Sequence, residues 1–122
     1  MTLEAMGKAE EMQAKIFKAV HVDRTRLMQD DAIIDWVSKN GIDRAKFLNT
    51  WNSFGVTTKL GRLPKVVESY KVPFVPTIVI DGKYLTSPAM LETALQSTNE
   101  ALTFGATLQT MDALVVKAAA AK

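Results

Sequence analysis

Few residues of this chain have the types and the spacing that could perform chemistry. The sequence contains no cysteine, which excludes disulfides, thiolate metal sites and a cysteine nucleophile in this chain. It contains one histidine, His21, which does not fit a histidine-rich zinc or iron site. Nucleophile-elbow, phosphate-loop and dinucleotide-binding motifs are absent too. We therefore assign no catalytic residue, no metal ligand and no cofactor.

Two groups of polar residues have an ordinary structural interpretation. Asp30, Asp31 and Asp35 could form an acidic metal cluster, but they fit better as capping and dipole-compensating charges at a helix start. His21 follows the end of a predicted helix and has no second ligand nearby in the sequence, so it fits a surface or helix-terminal cation.

The remaining candidate is the segment Val75-Pro76-Thr77, which precedes a predicted strand. A trans proline that starts the strand is one interpretation, since only ~5–6% of X–Pro bonds in folded proteins are cis. The other is a cis-proline turn that exposes the backbone of Val75 to an extended peptide. Spacing alone leaves both open.

Apolar periodicity predicts helices through most of the chain. We expect a first helix from about Leu3 to Val20 with Thr2 as N-cap, and a second from about Asp31 to Lys39, capped by Asp30 and ended by Asn40-Gly41. A third helix should follow the N-cap Asp43, with Ile42 stapled to Phe47 and an inner face reaching Phe54, and further helix should continue to Tyr70, interrupted at Gly61 and Pro64. We also expect a short helical turn at 99–105 and a C-terminal helix through Leu108 and Ala118.

The periodicity changes after the helices. Thr77–Ile80 and Lys83–Thr86 are predicted strands, joined by the hairpin dipeptide Asp81-Gly82. The first strand is apolar on both faces, as in a strand covered on both sides, yet the sequence offers no third strand. The fold class is therefore α/β, mostly α, and the strands belong to a larger sheet.

Composition narrows the function classes. With 122 residues, 48% of them apolar, the chain is long enough for one small core. Its formal charge of +2 gives no reason to expect nucleic acid as a partner. No apolar run approaches the ~20 residues of a membrane span.

The sequence resembles the DsbA family of thiol–disulfide oxidoreductases, in the thioredoxin superfamily. Residues 75–84 (VPTIVIDGKY) resemble the cis-proline strand and hairpin of that superfamily. They follow Phe47, 51–54 (WNSF) and Lys59, and they precede 85–88 (LTSP), a combination that resembles DsbA proteins. Phe74 stands where glycine is common in the family, and Pro64 interrupts a helix that is usually continuous.

The resemblance implies a layout and a role. Residues 1–71 would be the inserted helical domain, and 72–122 the returning part of the thioredoxin-like fold. The opening part with Cys-x-x-Cys has no counterpart, so we expect a C-terminal fragment that is redox-inactive alone. Val75 and Pro76 would bind substrate backbone. Partners would be exported polypeptides with cysteines and a membrane redox partner, in the periplasm, although no signal peptide opens the sequence.

Two alternatives remain open at this stage. A kappa-type glutathione transferase or chromene-carboxylate isomerase shares the V-P-T strand and does not need two cysteines. A non-enzymatic helical interaction module would also lack a nucleophile. Independently of function, we expect the unpaired, Ile- and Val-rich edge of Thr77–Ile80 to favour a homodimer.

Overall fold

The computed structural model describes residues 1–122 and is mostly helical, with one small antiparallel sheet. The elements in chain order are α1 (Thr2–Ala5), α2 (Ala9–Phe17), a π-helical turn (Lys18–Val22), α3 (Asp30–Lys39), α4 (Arg44–Trp51), α5 (Phe54–Ser69), β1 (Ile78–Ile80), β2 (Tyr84–Thr86), α6 (Pro88–Leu95) and α7 (Glu100–Ala120). The predicted class, α/β with mostly helix, is confirmed. None of the helices combines the length and the hydrophobicity needed to cross a membrane.

The chain divides into two compact units, Met1–Leu63 and Pro64–Lys122. Each is described separately below. The assignment of 1–71 as an inserted domain and 72–122 as a returning segment stays a prediction.

The prediction of one continuous helix from about Leu3 to Val20 is wrong, because the structure has two helices there. Gly7 has a φ of +69° and separates α1 from α2. Its amide donates to the carbonyl of Glu4 (3.0 Å), and that of Lys8 donates to Leu3 (2.7 Å), which is the Schellman way of ending a helix. Met1, in place of the predicted Thr2, is the N-cap of α1. A glycine in the left-handed region thus interrupts an otherwise helical apolar stripe.

The core of the first unit lies between α2, α3 and α4. Its buried members are Met12, Ile34, Val37, Ile42 and Phe47. Ile42 and Phe47 share this cluster, as the predicted hydrophobic staple requires.

The helix ends around this core agree in part with those predicted from the sequence. The Asp43 carboxylate accepts a hydrogen bond from the amide of Lys46 (2.8 Å), so its predicted role as N-cap is confirmed. The predicted cap Asp30 is wrong, because Gln29 is the N-cap and Asp30 is the first helical residue of α3. Gly41, with a φ of +93°, follows the end of α3 as predicted.

Helix α5 differs most from expectation. It is continuous from Phe54 to Ser69, with Pro64 inside it, so a restart of the helix at Pro64 is wrong. Proline removes one amide donor, which leaves the Leu60 carbonyl without its usual partner. Every residue from Lys59 to Lys71 is exposed, so water can satisfy that carbonyl. Phe54 opens this helix and is 86% exposed, so it is not on the inner face where we expected it.

Two exposed ion pairs join helices in the first unit. Arg44 binds Asp35 (2.5 Å) between α4 and α3, and Lys59 binds Glu4 (2.9 Å) between α5 and α1. The hydrogen bond and positive charge from each basic partner lower the pKa of both carboxyl groups below their ordinary values. Since all four side chains are solvated, these pairs favour the helix arrangement only weakly.

In the second unit, the hairpin has the predicted turn. Ile78 lies opposite Thr86 and Ile80 opposite Tyr84. Asp81 and Gly82 have φ of +53° and +65°, and both signs are those of a type I′ turn. Strand β1 begins at Ile78 instead of Thr77, and pairing resumes at Tyr84 instead of Lys83, so each strand is one residue shorter than predicted.

Of the two remaining helices, α7 packs on the hairpin and α6 packs on α7. Helix α6, capped by the buried Ser87, was not predicted. Helix α7 begins at the N-cap Asn99, so the separate short turn predicted at 99–105 is its first part. Helix α7 packs against both strands, and β1 is half-buried along its whole length.

Candidate functional site

The candidate site is the segment that connects α5 to β1, residues 70–77. Helix α5 ends at Ser69, and Lys71 adopts a φ of +50°, which turns the chain out of the helical direction. Pro73 and Pro76 have no amide hydrogen, so neither can donate a hydrogen bond to a helix or to a strand ladder. The segment therefore crosses the surface as irregular chain until β1 begins at Ile78.

The peptide bond between Val75 and Pro76 is cis. The hydroxyl of Thr77 donates to the carbonyl of Phe74, which closes a tight loop across this bond. Of the two interpretations that the sequence left open, the cis turn is therefore the one in the structure.

Val75 presents its backbone to solvent. The residue is 86% exposed. Neither its amide nitrogen nor its carbonyl oxygen makes a hydrogen bond within the chain. A solvated donor and acceptor at the start of a strand are the groups that an extended peptide uses when it adds to a sheet edge.

Side chains beyond the loop hold the adjoining hairpin in place. Lys122 binds Asp81 (3.0 Å), and the ammonium of Lys117 lies 5.1 Å from the ring centre of Tyr84. Lys117 lies in α7 and Lys122 lies just after it, so both contacts join the C-terminal end of the chain to the hairpin. The Tyr70 hydroxyl lies next to Gly82, where an added Cβ would meet it at 3.7 Å. The loop thus lies between the end of α5 and a hairpin turn that these contacts stabilise.

The other residues weighed in the sequence lie elsewhere. Asp35 is engaged by Arg44, and Asp30 and Asp31 are in the first turn of α3. His21 lies in the π-helical turn, with its ring 5.6 Å from that of Phe17. All of them belong to the first unit, whereas Val75 and Pro76 belong to the second.

Sequence reasoning missed the contacts that shape this segment. The hydrogen bond from Thr77 and the position of Tyr70 beside the turn were not predicted. A threonine directly after a turn proline was the available signal, because its hydroxyl can bond to a nearby backbone carbonyl.

The sequence matches to known proteins include this segment. The DSBA-like thioredoxin domain family matches residues 1–96. The thiol:disulfide interchange proteins DsbA of Pseudomonas aeruginosa and Burkholderia cepacia are each 34% identical to this chain, over 84 and 87 residues. These matches cover 69% and 71% of this chain but only 40% and 41% of the relatives. The chain therefore spans about two fifths of the curated relatives.

Solved structures agree with the sequence comparison. A crystal structure of a Pseudomonas aeruginosa DsbA variant superposes with a TM-score of 0.78 at 29% identity, covering 98% of this chain and 59% of that one. A second crystal structure, of Pseudomonas aeruginosa DsbA, gives 0.69 at 28% identity, covering 95% and 58%. The sequence and structure comparisons thus agree, and the chain belongs to the DSBA-like thioredoxin domain family.

Proposed function

We propose that this chain is the C-terminal, substrate-binding portion of a DsbA-like thiol–disulfide oxidoreductase that introduces disulfides into exported proteins. In this assignment Val75 and Pro76 hold the backbone of the substrate, and a redox-active thiol pair lies on a part of the protein outside this sequence. The name of the curated relatives, thiol:disulfide interchange protein, supports the reaction class.

The observation that carries the proposal is the free backbone of Val75. Its amide and carbonyl make no hydrogen bond within the chain, and the residue is exposed, three positions before β1 begins. An extended substrate that pairs with them would be held by main-chain hydrogen bonds, which do not depend on the substrate's side chains. That tolerance suits an enzyme whose substrates share only a cysteine.

The reaction constrains what this chain can contribute. Exchange begins when a thiolate attacks a disulfide sulfur, and the chain has no cysteine. Its role is therefore to bind and orient, while the thiolate comes from elsewhere. The proposed partners are unfolded exported polypeptides with cysteines and a membrane redox partner, and the proposed compartment is the periplasm.

A peptide titration tests the role of Val75. We expect a cysteine-containing peptide with its thiol blocked to shift the amide resonances of Val75 and Thr77 in the isotope-labelled chain. The variant Val75→Pro removes the amide donor and should weaken binding about three- to tenfold, the net value of one hydrogen bond. The matched variant Val75→Ala keeps the amide and trims only an exposed side chain, so it should bind as the parent does. Equal affinity of both variants, or shifts centred elsewhere, would contradict the assignment.

The free edges of the hairpin support a second proposal, a homodimer. The sheet has only two strands, so β1 and β2 each keep one unpaired edge. Such edges template pairing with another chain, and a second copy offers a matching one. Sedimentation over a tenfold concentration range should show a mass that rises toward the dimer. A monomer throughout, with slow amide exchange at Ile78 and Val79, would contradict it.

A further inference from the structure

A single hydrogen bond holds the irregular segment formed by residues 72–77. None of the amides or carbonyls of this segment bonds to another backbone group of the chain. The bond that does form runs from the hydroxyl of Thr77 to the carbonyl of Phe74. Backbone groups outside helices and strands depend on side chains or water for their hydrogen bonds, so this hydroxyl is the protein group that fixes the local backbone.

The carbonyl of Phe74 belongs to the same peptide group as the amide of Val75. A peptide group is planar, so its carbonyl and its amide can only rotate together. The bond between Phe74 and Val75 is trans, and in a trans peptide the C=O and N–H bonds point in opposite directions. The hydroxyl of Thr77 therefore sets the direction of the Val75 amide, which points away from the threonine.

This arrangement leaves the Val75 amide available to a partner. The amide makes no hydrogen bond within the chain, and the residue is 86% exposed. Donation from Thr77 to the carbonyl of the same peptide group also polarises that group, and hydrogen bonds that share a group in this way strengthen one another. The hydroxyl thus both directs the amide and makes it a better donor.

Thr77 itself lies on a well-supported part of the second unit. It is half-buried and immediately precedes β1. Ile78, the first residue of that strand, pairs with the buried Thr86, and the next residue, Ser87, is the buried N-cap of α6. The hydroxyl therefore extends from the paired end of the hairpin to the unpaired loop, which gives the Phe74 carbonyl a fixed partner.

We propose that Thr77 is a positioning residue, whose hydroxyl orients the Val75 amide to donate to the backbone of an extended peptide. This inference rests on the proposed function, in which Val75 holds the substrate backbone. An amide whose direction is set before binding loses less conformational freedom when the peptide arrives, so the peptide binds more tightly than it would to an unconstrained loop. Thr77 acts through Val75 and does not need to contact the substrate.

Conservative variants separate the hydroxyl of Thr77 from the shape of its side chain. Thr77→Val replaces the hydroxyl by a methyl group, and we expect it to bind the thiol-blocked peptide of the Val75 titration about three- to tenfold more weakly. Thr77→Ser keeps the hydroxyl and should bind within about twofold of the parent. The matched control is Thr93→Val, which removes a hydroxyl that donates to the carbonyl of Ala89 (3.1 Å) within α6 and should bind as the parent does.

Two further measurements test whether Thr77 acts through Val75. Val75→Pro has no amide to orient, so adding Thr77→Val to it should weaken peptide binding no further, and a double-mutant cycle measures this coupling. A loss caused by general destabilisation would instead appear in both backgrounds. In the peptide-free chain, Thr77→Val should move the carbonyl carbon resonance of Phe74 upfield, because that carbonyl loses its hydrogen-bond donor, whereas Thr77→Ser should leave it near the parent value.

The outcomes distinguish this inference from the proposed function. If the parent binds the peptide and Val75→Pro weakens binding, equal affinity of Thr77→Val and the parent would overturn the role of Thr77 alone. The same conclusion would follow from a further loss in the double variant, from a Thr77→Ser variant that binds as weakly as Thr77→Val, or from an unchanged Phe74 resonance in Thr77→Val. A parent chain that does not bind the peptide would overturn the proposed function, and the role of Thr77 with it.

Discussion

Thiol–disulfide exchange assays on this chain are expected to give a rate equal to that of a control without protein. The exchange step requires an attacking thiolate, and the sequence supplies none. Peptide binding by the loop at Val75 would not replace it, because binding orients a substrate without breaking its sulfur–sulfur bond. Reduction of insulin and oxidation of a dithiol peptide, each followed over time, measure the two directions of the reaction.

The positive control is the full-length DsbA of Pseudomonas aeruginosa, whose name assigns it this reaction. Its rate sets the scale against which the cysteine-free chain is compared. Activity of this chain above the protein-free control, after removal of small-molecule thiols, would contradict the expectation. It would also require a non-thiol route that none of the described residues provides.

The largest stability change is expected for Phe47→Ala. Phe47 is 1% exposed, and its ring centre lies 5.5 Å from that of Trp51. Truncation removes a buried ring from the small core formed with Met12 and Ile34. Substitutions of this type typically lower the free energy of unfolding by about 3–5 kcal/mol. That is a large share of the ~5–15 kcal/mol that stabilises a typical domain.

Phe54→Ala is the matched control for this experiment. It makes the same chemical change seven positions along the chain, at a side chain that is 86% exposed, and should change the free energy of unfolding by less than about 0.5 kcal/mol. Urea unfolding followed by tryptophan fluorescence compares both variants with the parent. Similar midpoints for Phe47→Ala and Phe54→Ala would show that the described core does not stabilise the first unit.

The sequence was most informative where the backbone itself demands a residue type. Asp81 and Gly82 were predicted to form the hairpin turn because both positions need a positive φ, and both have one. Asp43 was predicted as an N-cap because its carboxylate can satisfy an unpaired amide of α4, and it does so. Local chemistry of this kind acts within a few residues and does not require knowledge of distant contacts.

Sequence reasoning failed where two local preferences compete. Gly7 lies in an apolar stripe of helical period, and the stripe predicted one helix where the structure has two. Pro64 gave the opposite error, since α5 continues through it. In both cases the outcome depends on what surrounds the helix: a Schellman ending around Gly7, and full solvent exposure around Pro64.

For the candidate site too, the sequence determined some features and the tertiary structure decided the others. By itself, the sequence determined that the chain lacks a thiol, that a V-P-T segment precedes a hairpin, and that the fold is mostly helical. Only the tertiary structure decided that the Val75–Pro76 bond is cis and that the backbone of Val75 is solvated and unpaired. The physical reason is that both proline isomers differ by only ~0.5–1 kcal/mol in an isolated chain, so surrounding contacts select between them.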